Sequence, residues 1–179
     1  LYVDAFIIKT EGITTVKYYS ISQSTHLSNA VQTEYVKIDS IAPITTVNTS
    51  IPADGENGWY VTLPVITLTA SDAVSGLKSI HYSWDGESFQ EYTTALVVPS
   101  EGIHYLQVYS LDNANNKEQV QTKVFKVDIG APTTAIKVPL DIVKKPVTIS
   151  FVSSDKASGH YKTYYTIDGS VPTVNSKDA

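Results

Sequence analysis

The chain has 179 residues, a net charge of −5 at neutral pH, and neither cysteine nor methionine. The absence of cysteine excludes disulfide bonds, thiolate metal sites and cysteine nucleophiles. All 13 basic residues are lysines, and the lack of arginine and of a basic face argues against a nucleic-acid partner. No apolar run approaches the roughly 18 residues of a membrane span. A hydrophobic content of 42% is enough to fill the cores of one large or two ordinary domains.

The predicted elements are strands throughout the chain. Segments rich in Thr, Val, Ile and Tyr alternate between apolar and polar positions, and no segment shows a helical period with caps at both ends. The first clear strand lies in residues 11–20, which open with the pair Glu11-Gly12. The same pattern recurs ninety positions later, in residues 101–112. The chain is therefore predicted to be all-β and to contain an internal repeat.

Matches at fixed offsets divide the chain into repeats. Residues 1–20 match residues 91–110 at an offset of 90, and residues 39–46 match residues 128–135 at an offset of 89. Positions within 72–86 match positions within 155–169 at an offset of 83. The sequence therefore predicts the back half of one repeat in 1–41, one complete repeat in 42–130, and the front half of a third repeat in 131–179.

The complete repeat is predicted to form seven strands. A turn-rich loop at 52–58 follows the first strand, and Asp85-Gly86 indicates a tight turn after the third. Short alternating strands over about 90 residues are typical of an immunoglobulin-like sandwich. The strands are expected at 44–49, 61–71, 77–84, 89–98 (one strand or two), 102–111 and 118–129.

The alternation also predicts which side chains form the core. In the second strand Ile66, Leu68 and Ala70 should face inward, and in the third strand Tyr82 and Trp84 should be buried with Ile80. His81, between two of these positions, should face solvent. Six side chains are expected to be buried together: Ile66, Leu68, Ile80, Leu106, Val108 and Phe125.

Several short motifs between residues 43 and 128 resemble those of a known family. The set comprises Pro43, Gly58-Trp59-Tyr60, Asp72-x-x-Ser75-Gly76, Tyr82-Ser83-x-Asp85-Gly86, Glu101-Gly102-x-His104, Asp112-x-Ala114-x-Asn116 and Val127-Asp128. It is similar to the bacterial surface immunoglobulin-like repeats that were first described as an outer-membrane barrel repeat. Asn115 departs from the pattern, since the family usually has Gly there. Residues 164–173 resemble the chitobiase/β-hexosaminidase C-terminal immunoglobulin-like domain.

The resemblance implies a fold and a class of function. It implies tandem immunoglobulin-like β-sandwiches, one complete and two partial. Such modules are non-catalytic attachments of secreted enzymes and surface proteins. We therefore expect an extracellular or cell-surface segment, bacterial or archaeal, that serves as a spacer, stalk or filament subunit, with adhesion as a further role.

Acidic loops form a candidate Ca²⁺ site. In a sandwich of this topology, the loop after the second strand, the loop before the last strand and the incoming linker reach the same end. Carboxylate and amide oxygens suit Ca²⁺, whereas Asp and Asn also cap turns through their own backbone, and the sequence leaves both roles open. The candidate ligands are Asp39, Asp72, Asp112, Asn113 and Asn116. No other cofactor is expected.

Catalytic patterns are missing from the sequence. His26, His81, His104 and His160 are scattered without metal-ligand spacing, and His104 is expected to have a structural role. No nucleophile elbow, phosphate loop or Ser/His/Asp order is present. We therefore expect that the chain is not an enzyme.

Aromatic residues support an alternative function. Trp59, Tyr60, Tyr105 and Tyr109 are candidates for a sugar-stacking platform, such as the binding modules of glycan-active enzymes carry. The competing interpretation is structural, because Trp84 alternates with core positions and Tyr105 and Tyr109 alternate outward from the strand. A glycan array or a polysaccharide pull-down separates carbohydrate binding from a purely structural or adhesive role.

The two partial repeats are expected to need partners. Residues 131–179 supply the first strands of a sandwich and residues 1–41 supply the last ones, and about 40 residues bury too little apolar surface to fold alone. Because Leu1 is not an initiator methionine, the chain is expected to be a window from a longer array or a processed protein. Alternatively, separate copies join head to tail, with 131–179 of one copy pairing with 1–41 of its neighbour.

Overall fold

The computed structural model describes residues 4–138, 142, 144–159 and 162–178. These residues form 14 strands and no α-helix, with a single 3-10 turn at Glu56–Gly58. The prediction of an all-β protein is therefore confirmed. Within the described part of the chain, no helix has the length and hydrophobicity needed to span a membrane.

The strands before residue 42 and after residue 130 pair locally. β1 (Gly12–Tyr18) and β2 (Gln32–Ile38) form an antiparallel hairpin in which Gly12 pairs with Ile38. β11 (Thr133–Lys137) pairs antiparallel with β12 (Ser150–Ser154). β13 (Tyr164–Tyr165) pairs antiparallel with β14 (Lys177–Asp178). Each of these pairs is a separate two-stranded sheet.

Eight strands lie between residues 42 and 130. They are β3 (Ile44–Thr49), β4 (Trp59–Tyr60), β5 (Val65–Ser71), β6 (Leu77–Trp84), β7 (Gln90–Glu91), β8 (Leu96–Val97), β9 (Gly102–Asp112) and β10 (Gln121–Val127). They form a five-stranded sheet in the order β4-β10-β9-β6-β7 and a three-stranded sheet in the order β3-β5-β8. This arrangement of two sheets is consistent with a β-sandwich.

Several strand bounds differ from the sequence prediction for physical reasons. The predicted strand 61–71 begins only at Val65, because the N–H groups of Val61 and Thr62 bind the Asp54 carboxylate and Pro64 has no N–H. The short strand β4, which pairs parallel with β10, was not predicted. The segment 89–98, expected as one strand or two, contains two, β7 and β8.

The core contains the six residues that the alternation predicted. Each of them is buried, and Ile66, Leu106 and Phe125 are fully inaccessible. Tyr60, Leu96, Val98 and Val127 are also buried. The prediction of the core from strand periodicity is therefore confirmed at these positions.

The end of β6 departs from the predicted alternation. Ser83 is buried, whereas Tyr82 and Trp84 are only half-buried. The hydroxyl of Ser83 donates to the carbonyl of Glu87 at 2.7 Å, so the tight turn draws this position inward. Asp85 and Gly86 both have positive φ, as the predicted Asp-Gly turn requires.

Backbone proximity divides the chain into two compact units. The first unit contains residues 1–48, 68–93 and 107–122, and the second contains residues 49–67, 94–106 and 123–179. The repeat boundaries expected after residues 41 and 130 stay a prediction.

Candidate functional site at Asp39, Asp72 and Asp112

Three aspartates predicted to converge do lie together. Asp39 follows β2, Asp72 follows β5, and Asp112 ends β9. Carboxylate oxygens of the three residues lie within 4.8 Å of one another. Asp112 is fully buried, and the other two are half-buried. The two loops and the linker therefore bring these three carboxylates together, as the sequence predicted.

Asp39 ties the linker to the loop after β5. Its Oδ2 accepts the backbone N–H of Ser75 at 2.9 Å, and its Oδ1 accepts the N–H of Ile41 at 3.1 Å. A hydrogen bond from the Ser75 side chain, helped by these two N–H groups and opposed by desolvation, holds the pKa of Asp39 below its ordinary value. Asp39 therefore remains ionised at neutral pH.

Asp72 closes its own turn. Its Oδ1 accepts the N–H groups of Val74 at 3.1 Å and of Gly76 at 2.7 Å. Gly76 has a φ of 80°, a left-handed conformation that glycine adopts without steric cost. The loop geometry therefore explains the Asp-x-x-Ser-Gly pattern. The aspartate accepts backbone N–H groups of the turn, and the glycine allows the chain to reverse direction.

The two asparagines act as hydrogen-bond donors in this site. Asn116 Nδ2 donates to Asp112 Oδ2 at 2.7 Å and to the Asp39 carbonyl at 3.1 Å. Asn113 Nδ2 donates to the carbonyls of Ser75 at 2.9 Å and Gly76 at 3.0 Å. Both amides join the loop before β10 to its neighbours. In these contacts the asparagines act through their nitrogens, whereas the predicted role as Ca²⁺ ligands would use their oxygens.

The cluster fits a cation by spacing and charge. Two oxygens on opposite sides of Ca²⁺ lie about 4.6–5.2 Å apart, because each Ca²⁺–oxygen distance is about 2.3–2.6 Å. The N–H of Asn116 donates to Asp112 Oδ1 at 2.8 Å, so each of the three aspartates accepts a backbone N–H of its own turn. Ca²⁺ binding stays a prediction.

The same linker geometry occurs a second time. Asp128 Oδ2 accepts the N–H of Ser158 at 3.1 Å, and Asp128 Oδ1 accepts the N–H of Gly130 at 3.3 Å. Asp155 Oδ1 accepts the N–H groups of Ala157 and Gly159. A hydrogen bond from the Ser158 side chain, aided by the N–H groups of Ser158 and Gly130 against desolvation, lowers the pKa of Asp128. Asp128 and Ser158 therefore repeat the relationship of Asp39 and Ser75.

A glutamate holds each linker from its other side. Glu11 Oε2 accepts the N–H of Ser40 at 3.2 Å, and Glu101 Oε1 accepts the N–H of Ile129 at 3.0 Å. Sequence reasoning missed these contacts, although Glu11 and Glu101 occupy equivalent positions in the repeat. We call Glu11, Asp39, Ser40 and Ser75 the first junction, and Glu101, Asp128, Ile129 and Ser158 the second junction.

A buried glutamate was also missed. Glu118 is 8% exposed and accepts hydrogen bonds from Thr45 on β3 and Ser110 on β9. The amide of Gln121 donates to the same carboxylate. Glu118 is a single glutamate that precedes a strand. Nothing in the sequence around it distinguishes it from a glutamate exposed to solvent.

The candidate glycan-binding residues have different environments. Tyr60 is buried with its ring centroid 6.0 Å from that of Phe125. The Tyr109 ring stacks on His81 at 4.8 Å and also contacts Phe89 and the Lys117 ammonium. Tyr105 is exposed and Trp59 is half-buried.

The histidines do not assemble into a catalytic group in the described part of the chain. His81, expected to face solvent, is half-buried against Tyr109, and its Nε2 lies 2.9 Å from Ser79 Oγ. His104 Nε2 lies 3.1 Å from Ser100 Oγ. The Asp39, Asp72 and Asp112 cluster is the one group of three potential metal ligands found among the described residues. His160 lies outside the described residues.

No protein-family model, curated protein or solved structure matches this chain. The family resemblance therefore stays a prediction. The two junctions are therefore the main structural indication of function.

Proposed function

We propose that this chain is a non-catalytic structural segment of tandem immunoglobulin-like β-sandwich repeats. It serves as an extracellular spacer, stalk or filament subunit, with adhesion as a further role. The observation that supports this proposal is the repetition of one junction. Asp39 with Ser75 and Asp128 with Ser158 form the same contact.

Each junction holds its linker from two sides. In the first junction, Glu11 of the preceding repeat binds the N–H of Ser40, while Asp39 binds the N–H of Ser75 in the following repeat. Consecutive linker residues are thus fixed to elements on both sides. Fixing them lowers the conformational freedom of the linker, which suits a segment whose role is to keep its repeats in a defined orientation.

The partial repeat in 131–178 presents an incomplete core. A groove there is lined by Ile136, Ile149, Phe151 and Tyr165, among others. At the offset of 83, Ile149 corresponds to Ile66, yet Ile149 is 48% exposed whereas Ile66 is fully buried. This difference in exposure supports the proposal that further strands complete the core of the 131–178 segment.

Residues 1–41 present the complementary part. Val16 corresponds to Leu106 at the offset of 90, and Ile38 corresponds to Val127 at the offset of 89. Both are half-buried, whereas their counterparts are buried. We therefore propose that strands of the β1–β2 type cover the 131–178 groove. Residues 1–41 of a second copy, or an equivalent stretch of a longer parent chain, supply them.

Amide hydrogen exchange tests the junctions, and each junction is the control for the other. Asp39→Ala should speed exchange at the Ser75 and Ile41 amides and leave Ser158 unchanged, because only the first carboxylate is removed. Asp128→Ala should have the reverse effect. If these amides exchange in the wild-type protein as fast as in the variants, the junctions do not hold the linkers and the proposal loses its support.

A further inference from the structure

The buried carboxylate of Glu118 is surrounded by neutral donors. Glu118 Oε1 accepts the N–H of Thr45 at 2.9 Å, and Oε2 accepts the N–H of Ser110 at 3.1 Å. Thr45 is 4% exposed and Ser110 is fully buried. A buried carboxylate held by fixed donors has the orientation that a general base requires.

The Thr45 hydroxyl has the geometry of a nucleophile beside its base. Thr45 Oγ1 donates to Glu118 Oε2 at 2.5 Å, and Ser110 Oγ lies 2.5 Å from the same hydroxyl. A hydroxyl within hydrogen-bond reach of a base that other groups orient is the general signature of an activated oxygen nucleophile.

An acyl group is held at the other oxygen of the same carboxylate. Gln121 Nε2 donates to Glu118 Oε1 at 2.5 Å and to the Thr45 carbonyl at 3.2 Å. One oxygen of Glu118 therefore faces the hydroxyl, and the other faces the nitrogen of a carboxamide. This is the arrangement in which a single carboxylate takes a proton from a nucleophile and returns it to a leaving amine.

We propose that Thr45 and Gln121 are joined by an intramolecular ester that the protein forms by itself. Thr45 Oγ1 attacks Cδ of Gln121 while Glu118 Oε2 takes the hydroxyl proton. The Cδ–Nε2 bond then breaks, Glu118 returns the proton to the leaving nitrogen, and ammonia departs. An Oγ1–Cδ bond replaces the Cδ–Nε2 bond, no oxidant or cofactor is consumed, and Glu118 is regenerated as a carboxylate.

The ester would tie β3 to β10. These are the first and the last strands of the complete repeat. Thr45 and Ser110 are buried, whereas Gln121, which supplies the acyl carbon, is exposed. A load transmitted along a tandem array would then pass through a covalent bond between the two strands. This mechanical consequence depends on the proposed structural function, whereas the bond itself does not.

Mass spectrometry of the wild-type chain tests the proposal directly. After prolonged incubation at neutral pH and denaturation, the intact mass should be lower than the sequence mass by one ammonia molecule. Proteolysis should yield one branched peptide that contains Thr45 and Gln121, and hydroxylamine should cleave it, because esters react with hydroxylamine. A folded wild-type protein with the full sequence mass and no branched peptide would overturn the proposal.

Variants separate the ester from other losses of ammonia. Thr45→Val removes the nucleophile and Glu118→Gln removes the base, so both should retain the full mass. Gln119→Glu changes the neighbouring glutamine and should still lose one ammonia, whereas Gln121→Glu should not. Ammonia loss that persists in Thr45→Val would show deamidation elsewhere and would contradict the ester. The wild-type measurement decides the question even if a variant does not fold.

Discussion

The backbone N–H of Ser75 donates a 2.9 Å hydrogen bond to the carboxylate of Asp39, a residue 36 positions earlier in the chain. The same bond joins Ser158 to Asp128 at 3.1 Å. Each aspartate also accepts the N–H of the residue two positions further on. A contact repeated in this detail indicates that the two linkers share one structural design.

Truncation of the core should be costly where the strands are packed. Leu106 is fully buried, so Leu106→Ala should lower the free energy of unfolding by about 2–5 kcal/mol. Ile103, on the same strand but 50% exposed, is the matched control. Ile103→Ala should change the free energy of unfolding by about 0.5 kcal/mol or less. Urea titration measures both values. Equal effects at the two positions would contradict the packing of β9.

A shared Ca²⁺ ion would stabilise the loops that carry Asp39, Asp72 and Asp112. Adding Ca²⁺ should then raise the melting temperature and a chelator should lower it, because the ion binds only the folded arrangement. Asp72→Asn keeps an oxygen for the N–H groups of Val74 and Gly76 but removes charge, so it should abolish the response. Asp155→Asn is the control, because Asp155 accepts the equivalent N–H groups of Ala157 and Gly159. An identical melting temperature with Ca²⁺ and with chelator would contradict Ca²⁺ binding, and only the turn role of the aspartates would remain.

The junctions should weaken in acid. Hydrogen bonds hold the pKa of Asp39 below its ordinary value of 3.8, so the carboxylate contributes stability that is fully present above that value. This contribution is lost as the pH falls through the lowered pKa of the folded state. Exchange of the Ser75 amide should therefore accelerate on acidification below about pH 4, after correction for the intrinsic pH dependence of exchange. Asp39→Asn should show no such transition, and a wild-type protein whose corrected exchange stays constant would contradict the assignment.

The aspartate cluster could be predicted because strand period and loop order depend on local sequence. Alternation placed Ile66 and Leu106 in the core, and the topology of a sandwich placed Asp72 and Asp112 at the same end. The position of β4 could not be predicted in this way, because two residues in parallel pairing with β10 show no period.

The contacts of single side chains were harder to predict than the elements. Nothing local distinguishes Glu11, which accepts the N–H of Ser40, from a solvated glutamate at a turn. The burial of Glu118 depends on hydrogen-bond donors from Thr45 on β3 and Ser110 on β9. The burial of Ser83 depends on a carbonyl across the following turn. Such positions are decided by long-range partners, which periodicity does not identify.

The central claim, that the junctions fix the orientation of successive repeats, is tested most directly by a distance measurement across the first junction. Because the chain has no cysteine, Thr15→Cys and Glu91→Cys introduce the only two thiols, both at exposed positions on strands, and spin labels can be attached to them. Pulsed electron paramagnetic resonance should give one narrow distance distribution, which Asp39→Ala broadens. Asp54→Ala, which removes hydrogen bonds of the same kind to Val61 and Thr62 within the repeat, should leave it narrow. A distribution that is already broad in the chain with Asp39 intact, and that Asp39→Ala does not change, would contradict the account.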